Sequence, residues 1–304
     1  MTPTQKSITP RAWTELSLLA LIWGGSFLCN ALILQEIGPL WVVAWRVIGA
    51  ALVLWVYVIL RGLSLPRDPR IWGAFLVMGL LNNAVPFTLI TWGQQHISSG
   101  LASILNALTA VLGILVAAIV FSDERLTRRK SAGVILGFAG AATIIGPAAL
   151  GQLNLASLGQ LAIVGSSLSY AFAAVWGRKM LAQQTPQVAA AGMLSAAALI
   201  MLPTAFLFEG APTFPAATTT WAALGYLSLL ATAGAYLLYY RVLGMAGSGN
   251  LMLVTLMVAP FAILLGAVLL DETLPLRAYA GFALLAAGLL VIDGRLMRRF
   301  TNSV

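Results

Sequence analysis

The chain has 304 residues, of which 60% are hydrophobic and only 9% are charged. A soluble domain carries about 25% charged residues, so the composition excludes a water-soluble globule of this size. The formal net charge is +8, with 17 Lys and Arg residues against 9 Asp and Glu residues. Because a helix needs about 20 residues to cross a bilayer, ten helices would take roughly 200 residues and leave short loops. The composition therefore predicts an all-α membrane protein.

Ten apolar stretches are predicted to be transmembrane helices, numbered 1 to 10 in chain order. They cover residues 15–34, 39–60, 70–92, 98–121, 130–147, 157–178, 187–208, 217–240, 248–270 and 275–293. Prolines stand at or beside many of the boundaries, where the missing backbone N–H costs least. No connecting loop is long enough to form a separate soluble domain.

Basic residues are distributed unevenly between the two sides of this arrangement. With the N-terminus placed in the cytoplasm, the loops and tails on that side hold fifteen Lys and Arg residues, whereas the outer loops hold only Arg277. Lys and Arg collect in cytoplasmic loops, so the asymmetry predicts that both termini are cytoplasmic. Residues 1–14 and 294–304 are then predicted to be cytoplasmic tails.

An internal repeat appears at an offset of 148 residues. Residues 119–145 and 267–293 both contain an apolar helix, an Asp-Glu-x-Leu turn and a helix with glycines at matching places. Because each repeat holds five helices, an odd number, the second copy enters the membrane from the opposite side. We predict two inverted repeats, at residues 15–147 and 157–293, joined by an outer linker at residues 148–156. Inverted repeats with a site at their interface are typical of transporters.

Several short motifs occur in a fixed order along both repeats. They are Trp23-Gly24-Gly25-Ser26-Phe27, Trp45-Arg46-Val47, Phe121-x-x-Glu124-Arg125-Leu126, Ser169-Tyr170-Ala171 with Arg178-Lys179, and Asp271-Glu272-x-Leu274. In these motifs the chain resembles the drug/metabolite transporter (DMT) superfamily, specifically its EamA-domain family and within that the YddG-type amino-acid exporters. The resemblance implies a ten-helix bundle that exports small metabolites through a central cavity. One departure is Leu112 in helix 4, where the family often has proline, as at Pro260 in helix 9.

Polar and aromatic side chains inside the predicted spans are candidates to bind the substrate. The predicted substrate-binding residues are Trp23, Asn30, Arg46, Asn83, Asn106, Tyr170, Trp176 and Tyr236. Arg46 lies seven residues past Pro39, roughly 10 Å into the membrane at 1.5 Å per residue. A buried guanidinium is costly and usually functional, although an arginine that braces a neighbouring helix is the alternative. For the other residues the alternative is packing and hydrogen bonding between helices.

Two helical faces underlie these candidates. Helix 8 carries a stripe at steps of three and four residues, formed by Gly225, Ser228, Thr232, Tyr236 and Tyr239. Helix 3 carries Asn83, Phe87 and Gln94 on one face, with Asn82 beside them. By contrast, the glycines at positions 133, 137 and 140 are predicted to allow close helix packing rather than to bind a ligand.

The sequence argues against enzyme chemistry. The single histidine, His96, cannot form a multi-histidine metal site, and neither a Gly-x-Ser-x-Gly elbow nor a phosphate-binding loop with lysine is present. We therefore expect no enzymatic activity, no metal or other cofactor and no nucleic-acid partner. A channel and a serine–histidine dyad that uses His96 are distant alternatives.

The chemistry of the candidate residues indicates the substrate class. They offer hydroxyls, amides and aromatic rings, with Arg46 as the only fixed charge. This combination favours a neutral or zwitterionic metabolite, with amino acids first and aromatic or apolar ones included. Efflux of uncharged or weakly basic drugs is the alternative. Since every Asp and Glu lies in a loop or at a helix end, we expect facilitated export down the substrate gradient, or coupling that uses no buried acid. We also expect the protein to function as a monomer.

Overall fold

The structure is a computed structural model that describes residues 8–97, 99–151, 153, 157–269 and 276–293. Within these ranges ten long helices and no strand are present. They are α1 (Pro10–Ile33), α2 (Pro39–Leu60), α3 (Pro69–Gly93), α4 (Ser99–Val120), α5 (Arg128–Ile145), α6 (Leu158–Met180), α7 (Pro186–Glu209), α8 (Thr218–Ala246), α9 (Val254–Leu269, preceded by the helical turn Ser248–Leu251) and α10 (Leu276–Asp293). The predicted all-α, ten-helix architecture is confirmed.

Most of these helices are long and apolar enough to cross a membrane. In the described part of the chain seven of them have at least 18 residues and the required hydropathy, and two further apolar helices are shorter. The remaining helix, α5, begins with three basic residues at positions 128–130. The motif at residues 271–274 and the predicted tail at 294–304 lie outside the described residues.

Two helix boundaries differ from the prediction. Helix α1 begins at Pro10 rather than at residue 15, because the Thr9 hydroxyl accepts a hydrogen bond from the Ala12 backbone N–H at 3.2 Å and caps the helix. Helix α8 continues to Ala246 instead of ending near residue 240. Arg241 lies within this extension and forms an ion pair with Glu15 of α1, so its charge is neutralised without ending the helix.

The helices pack in a pattern that repeats between the two halves. Helix α1 packs against α9 of the second half, and its counterpart α6 packs against α4 of the first half. The counterparts α2 and α7 pack directly against each other, and so do α5 and α10. A two-fold axis between the halves requires that each contact occurs again with the counterpart helices, as these contacts do. The prediction of two inverted five-helix repeats is therefore confirmed.

Glycines bring α5 and α10 into backbone contact at this axis. A methyl group on Gly288 would lie 2.6 Å from the carbonyl oxygen of Gly133, and one on Gly281 would lie 2.7 Å from that of Gly140. The 148-residue offset relates Gly133 to Gly281 and Gly140 to Gly288. Small residues permit such close approach, as predicted for this stretch of α5.

The helices α3 and α8, which are also counterparts, both contain a π-helical segment. The segments are Leu80–Ala84 in α3 and Tyr226–Gly234 in α8. A π-helix has i to i+5 hydrogen bonds, so it places more residues in each turn than an α-helix and rotates the side chains that follow. No periodicity in the sequence predicted these segments, and they change which residues face the centre of the bundle.

Two carboxylates join helices at the end of the bundle that is predicted to be outside. Glu209 at the end of α7 accepts hydrogen bonds from the backbone N–H groups of Leu40 (2.9 Å) and Trp41 (3.1 Å). Glu36, in the loop after α1, accepts from the Thr220 hydroxyl and from backbone N–H groups near the start of α8. These hydrogen bonds stabilise the ionised form and lower the pKa of Glu36 below its usual value.

Candidate functional site

The described helices enclose a central cavity with about 600 Å³ of empty space, part of which is open to solvent. Helices of both repeats line it, and α2 contributes one side chain. The lining residues are Trp23, Ser26, Phe27 and Asn30 of α1, Arg46 of α2, Asn82, Phe87 and Ile90 of α3, Asn106 and Thr109 of α4, Tyr170 of α6, Tyr239 of α8, and Met252, Thr255 and Val258 at and after the start of α9.

Five of the eight predicted binding residues meet at this cavity. They are Trp23, Asn30, Arg46, Asn106 and Tyr170. They come from four helices, and sequence separations of up to 147 residues are closed by the packing of α1 against α9 and α4 against α6. The fold thus brings together side chains that the sequence marks only as polar or aromatic positions within apolar helices.

Arg46 is the charged group of the cavity, and only 6% of it is exposed. Its Nε donates a hydrogen bond to the Thr232 hydroxyl at 2.7 Å, and its Nη2 lies 3.4 Å from the Ala231 carbonyl oxygen. The guanidinium carbon lies 3.8 Å from the centre of the Phe87 ring. Among the described residues no Asp or Glu forms an ion pair with Arg46, so its positive charge is held by neutral groups alone.

The π-helical segment of α8 supplies the acceptors for Arg46. Both Ala231 and Thr232 belong to this segment. The Ala231 carbonyl oxygen also accepts a hydrogen bond from the indole N–H of Trp23 at 2.9 Å. Because π-helical turns disturb the usual i to i−4 pairing, a backbone carbonyl in this segment can accept hydrogen bonds from side chains of α1 and α2. The segment therefore orients two side chains that line the cavity.

Several cavity-lining side chains have buried polar atoms without a hydrogen-bond partner in the described structure. These atoms are Ser26 Oγ, Asn30 Oδ1, Asn106 Oδ1, Thr109 Oγ1 and Tyr239 Oη. Buried polar groups in proteins are nearly always paired, because leaving one unpaired costs about 1–3 kcal/mol. A group of five such atoms around one cavity is the arrangement expected where a polar ligand completes the hydrogen bonds.

Asn83 and Tyr236, two predicted binding residues, lie behind the cavity wall. Asn83 is fully buried, and its Oδ1 accepts a hydrogen bond from the Tyr236 hydroxyl at 2.7 Å. In a regular helix Asn83 would share a face with Phe87, but the π-helical turn inserts an extra residue and Asn82 takes that position. The π-helical segment of α8 likewise turns Tyr239 towards the cavity and Tyr236 away from it.

Trp176, the remaining predicted binding residue, also lies outside the cavity. Its indole N–H donates a hydrogen bond to the Ala74 carbonyl oxygen near the start of α3, at 3.1 Å. This bond joins α6 to α3 at the end of the bundle that is predicted to be cytoplasmic. The contact is of the helix-bracing kind that was the alternative interpretation for this residue.

The aromatic part of the cavity wall is supported from behind. The Trp23 and Tyr239 rings are 6.4 Å apart, and the Tyr236 ring packs edge-on against both of them, at 6.5 and 5.7 Å. Aromatic pairs at these separations attract each other beyond the effect of burial. Tyr236 therefore holds the two rings in place without touching the cavity itself.

Other lining residues were not predicted as binding residues. They include Ser26, Asn82, Thr109, Tyr239 and Thr255. A signal for three of them exists in the sequence. Thr109 follows Asn106 by three residues, and Thr255 stands three residues after Met252 and three before Val258, so each polar residue shares a helical face with other lining residues. Tyr239 belongs to the polar stripe of helix 8, whereas the place of Asn82 depends on the π-helical turn of α3.

Comparisons with known proteins agree with this architecture. A family model described as "EamA-like transporter family" matches the chain twice, at residues 15–146 and 157–293. A "Probable amino-acid metabolite efflux pump" of Salmonella typhimurium is 28% identical over 285 residues, with 90% of this chain and 92% of the relative covered. A "Probable terminal-alkyne amino-acid exporter" of Streptantibioticus cattleyicolor is 30% identical over 212 residues, with 69% of each chain covered.

A solved crystal structure has the same fold. It superimposes with a TM-score of 0.78 at 21% identity and covers 95% of this chain and 98% of its own. The two matches to the family model cover nearly the whole chain, and the ten helices in two inverted repeats agree with them. The chain is a multi-pass membrane transporter that belongs to the EamA-like transporter family of the DMT superfamily.

Proposed function

We propose that this transporter exports small zwitterionic or neutral metabolites, amino acids first and aromatic or apolar ones included, by alternating access of the central cavity. The observation that carries this proposal is the one cation among the cavity-lining residues, Arg46, which is buried, has no carboxylate partner in the described structure and is surrounded by unpaired hydroxyl and amide oxygens. A buried charge of this kind is stabilised when a ligand supplies the opposite charge.

An amino acid satisfies both kinds of group at once. Its carboxylate would bind Arg46, since a guanidinium forms strong charge-assisted hydrogen bonds with carboxylates. Its ammonium would donate to oxygen atoms such as Asn30 Oδ1, Asn106 Oδ1 and Tyr239 Oη, which accept hydrogen bonds without carrying a charge. The rings of Trp23, Phe87 and Tyr170 leave an apolar surface for the side chain.

Phosphorylated solutes and cationic drugs fit this cavity less well. A phosphate ester would require several cations, and the lining residues contain Arg46 alone. A cationic drug would meet Arg46 and no acidic lining residue. Uncharged or weakly basic drugs remain the second candidate, because the aromatic rings can bind them by apolar contact. The names of the Salmonella and Streptantibioticus relatives favour amino acids.

The cavity also bears on the source of energy. None of its lining residues is an Asp or Glu, whereas proton-driven carriers commonly use a carboxylate inside the membrane. We propose facilitated export down the substrate gradient, or coupling that uses no acidic cavity residue. We further propose that the protein acts without a cofactor, without enzymatic activity and as a monomer.

The proposed location is the bacterial inner membrane, with both termini in the cytoplasm. Apolar side chains exposed on the outer surfaces of the helices are suited to contact lipid, for example Ile59 (73% exposed), Ile119 (84%) and Leu207 (81%). The excess of Lys and Arg in the loops predicted to be cytoplasmic supports this orientation.

The experiment is a panel of labelled solutes presented to purified protein in proteoliposomes. We expect saturable flux of one or more amino acids, accelerated by the same amino acid on the opposite side, as a carrier requires. Flux that does not saturate and is not accelerated would indicate a channel. Saturable flux of sugar phosphates or basic drugs without any amino acid would overturn the proposal.

A matched pair of variants connects the flux to the site. Arg46→Gln is expected to raise the KM for amino acids about 10- to 100-fold, because a hydrogen bond to a charged group contributes about 1.5–3 kcal/mol. Arg61→Gln removes an exposed arginine at the end of the same helix and should leave the KM unchanged. Equal effects of the two substitutions would argue against binding at Arg46.

A further inference from the structure

A buried ionic cluster lies at the end of the bundle opposite to Glu36 and Glu209, which is predicted to be cytoplasmic. Arg178 at the end of α6 forms ion pairs with both Asp123 and Glu124, which follow α4. Glu124 is only 6% exposed. It also accepts hydrogen bonds from the Ser248 backbone N–H (2.8 Å), the Ser248 hydroxyl (2.8 Å) and the Gly249 backbone N–H (2.7 Å). We call these five residues the Glu124 cluster.

Glycines on either side of Ser248 make room for the carboxylate. Gly247 has φ +85°, a conformation that favours glycine, and forms the sharp turn between α8 and the start of α9. A methyl group on Gly247 would lie 2.8 Å from Glu124 Oε1, and one on Gly249 would lie 2.7 Å from Oε2. The Gly247-Ser248-Gly249 sequence is thus shaped around Glu124 and has no other evident role.

The cluster joins the two repeats directly beneath the cavity. Glu124 belongs to the first repeat, and Ser248 and Gly249 belong to the second. Met252, three residues after Gly249, already lines the cavity. It packs so closely on α4 that a methyl group on Gly113 would lie 2.3 Å from its Cγ. The start of α9 therefore closes the cavity on this side, and Glu124 holds it against α4.

We propose that the Glu124 cluster is the inner gate of the transporter and that release of Ser248 and Gly249 from Glu124 opens the cavity to the cytoplasmic side. In inverted-repeat transporters the two repeats move relative to each other about a central site. Bonds between the repeats on one side of the site must break when that side opens. Opening also exposes Glu124 and Arg178 to water. Water then solvates the Glu124 carboxylate, which limits the cost of losing its hydrogen bonds to Ser248 and Gly249.

The test measures access to the cavity from each side and needs no knowledge of the substrate. The reporter is Thr109→Cys in a Cys29→Ser background, treated with an impermeant thiol reagent in intact cells and in inside-out vesicles. Glu124→Gln replaces one acceptor oxygen with an NH₂ group that cannot accept a backbone N–H. We expect it to increase the labelling rate from the cytoplasmic side by roughly tenfold, as the loss of one charge-assisted hydrogen bond implies.

Two further variants make the test decisive. Ser248→Ala removes only the hydroxyl bond and should increase cytoplasmic labelling by a smaller factor, even if Glu124→Gln does not fold. Glu209→Gln changes a carboxylate that accepts backbone N–H groups at the opposite end and should not increase it. Unchanged cytoplasmic labelling in a folded Glu124→Gln or Ser248→Ala variant, or an equal increase with Glu209→Gln, would overturn the proposal. Because labelling requires no flux, the result is independent of the proposed substrate.

Discussion

Two tyrosines on the same helix have different roles although they are only three residues apart. The Tyr239 hydroxyl is buried at the cavity and has no partner within the described ranges, whereas the Tyr236 hydroxyl is bonded to Asn83. An unpaired hydroxyl gains a partner when a ligand binds. A paired hydroxyl contributes to the stability of the empty protein. We therefore propose that the Tyr239 hydroxyl serves substrate binding, whereas the Tyr236 hydroxyl stabilises the fold.

Removing each hydroxyl should separate these roles. Tyr239→Phe is expected to raise the substrate KM about 2- to 10-fold and to leave the melting temperature unchanged, since a neutral hydrogen bond contributes about 0.5–1.5 kcal/mol. Tyr236→Phe leaves Asn83 Oδ1 buried and unpaired, so it should lower the melting temperature. Fluorescence-detected unfolding and flux measurements on both variants check this. A melting temperature lowered by Tyr239→Phe alone would contradict the assignment.

At this scale the sequence predicts some positions better than others. Arg46 and Trp23 could be predicted because a charge or an indole within an apolar helix is conspicuous, and both lie at the cavity. Asn83 was predicted instead of Asn82 because the helical periodicity was assumed to be 3.6 residues throughout α3. A π-helical turn has no sequence signature in the chain. Which of the two adjacent asparagines lines the cavity therefore depends on the folded backbone.

The crossing of α5 and α10 shows how small residues determine the distance between elements. The two helices leave no room for a methyl group where Gly133 meets Gly288 and where Gly140 meets Gly281. Packing of this kind is the main attraction between helices in lipid, where no hydrophobic driving force brings them together.

Gly288→Ala should disrupt this crossing. The added methyl group would meet the Gly133 carbonyl oxygen and the Gly137 backbone nitrogen, both at 2.6 Å, and backbone atoms cannot move aside cheaply. We expect a lower melting temperature and less folded protein. Gly73→Ala is the matched control, because no atom lies within 4 Å of its new methyl group and alanine favours a helix by about 1 kcal/mol over glycine. Equal stability of the two variants would show that the crossing is looser than described.

The elements themselves were largely predictable, and their ends were less so. Apolar length located all ten helices, because the bilayer dictates a minimum span. The continuation of α8 past Arg241 could not be predicted, since the charge is neutralised by Glu15, more than two hundred residues away in sequence. The Glu124 motif and the Gly247-Ser248-Gly249 sequence were both evident, but only the fold shows that they meet.

The inverted symmetry of the whole molecule has a consequence for the cavity. Four helices of the first repeat contribute lining residues, and α6, α8 and the α9 region of the second repeat do so as well. Arg46 breaks this symmetry: it lies on α2, while its counterpart at the 148-residue offset is the fully buried Leu194 of α7. The positive charge therefore lies on one side of the cavity, and under the proposed function it would give a bound zwitterion a preferred direction.

The orientation in the membrane, which is predicted from the loop charges, can be tested with cysteines. Leu153→Cys in the predicted outer linker is expected to react with an impermeant thiol reagent in intact cells, because this side chain is 51% exposed. Ser64→Cys, exposed in the loop between α2 and α3, should react only after the membrane is permeabilised. Both variants are made in the Cys29→Ser background. The reverse pattern would invert the topology and place the Glu124 cluster on the outer side of the membrane.

The central claim is that Arg46 binds the carboxylate of the transported solute. The most direct measurement is counterflow in proteoliposomes of an amino acid and of its amide, which has nearly the same shape and lacks the negative charge. We expect saturable counterflow of the amino acid, at least about tenfold weaker competition by the amide, and loss of this difference in Arg46→Gln. Transport of the amide as effective as that of the amino acid, with the same preference in Arg46→Gln, would contradict the claim.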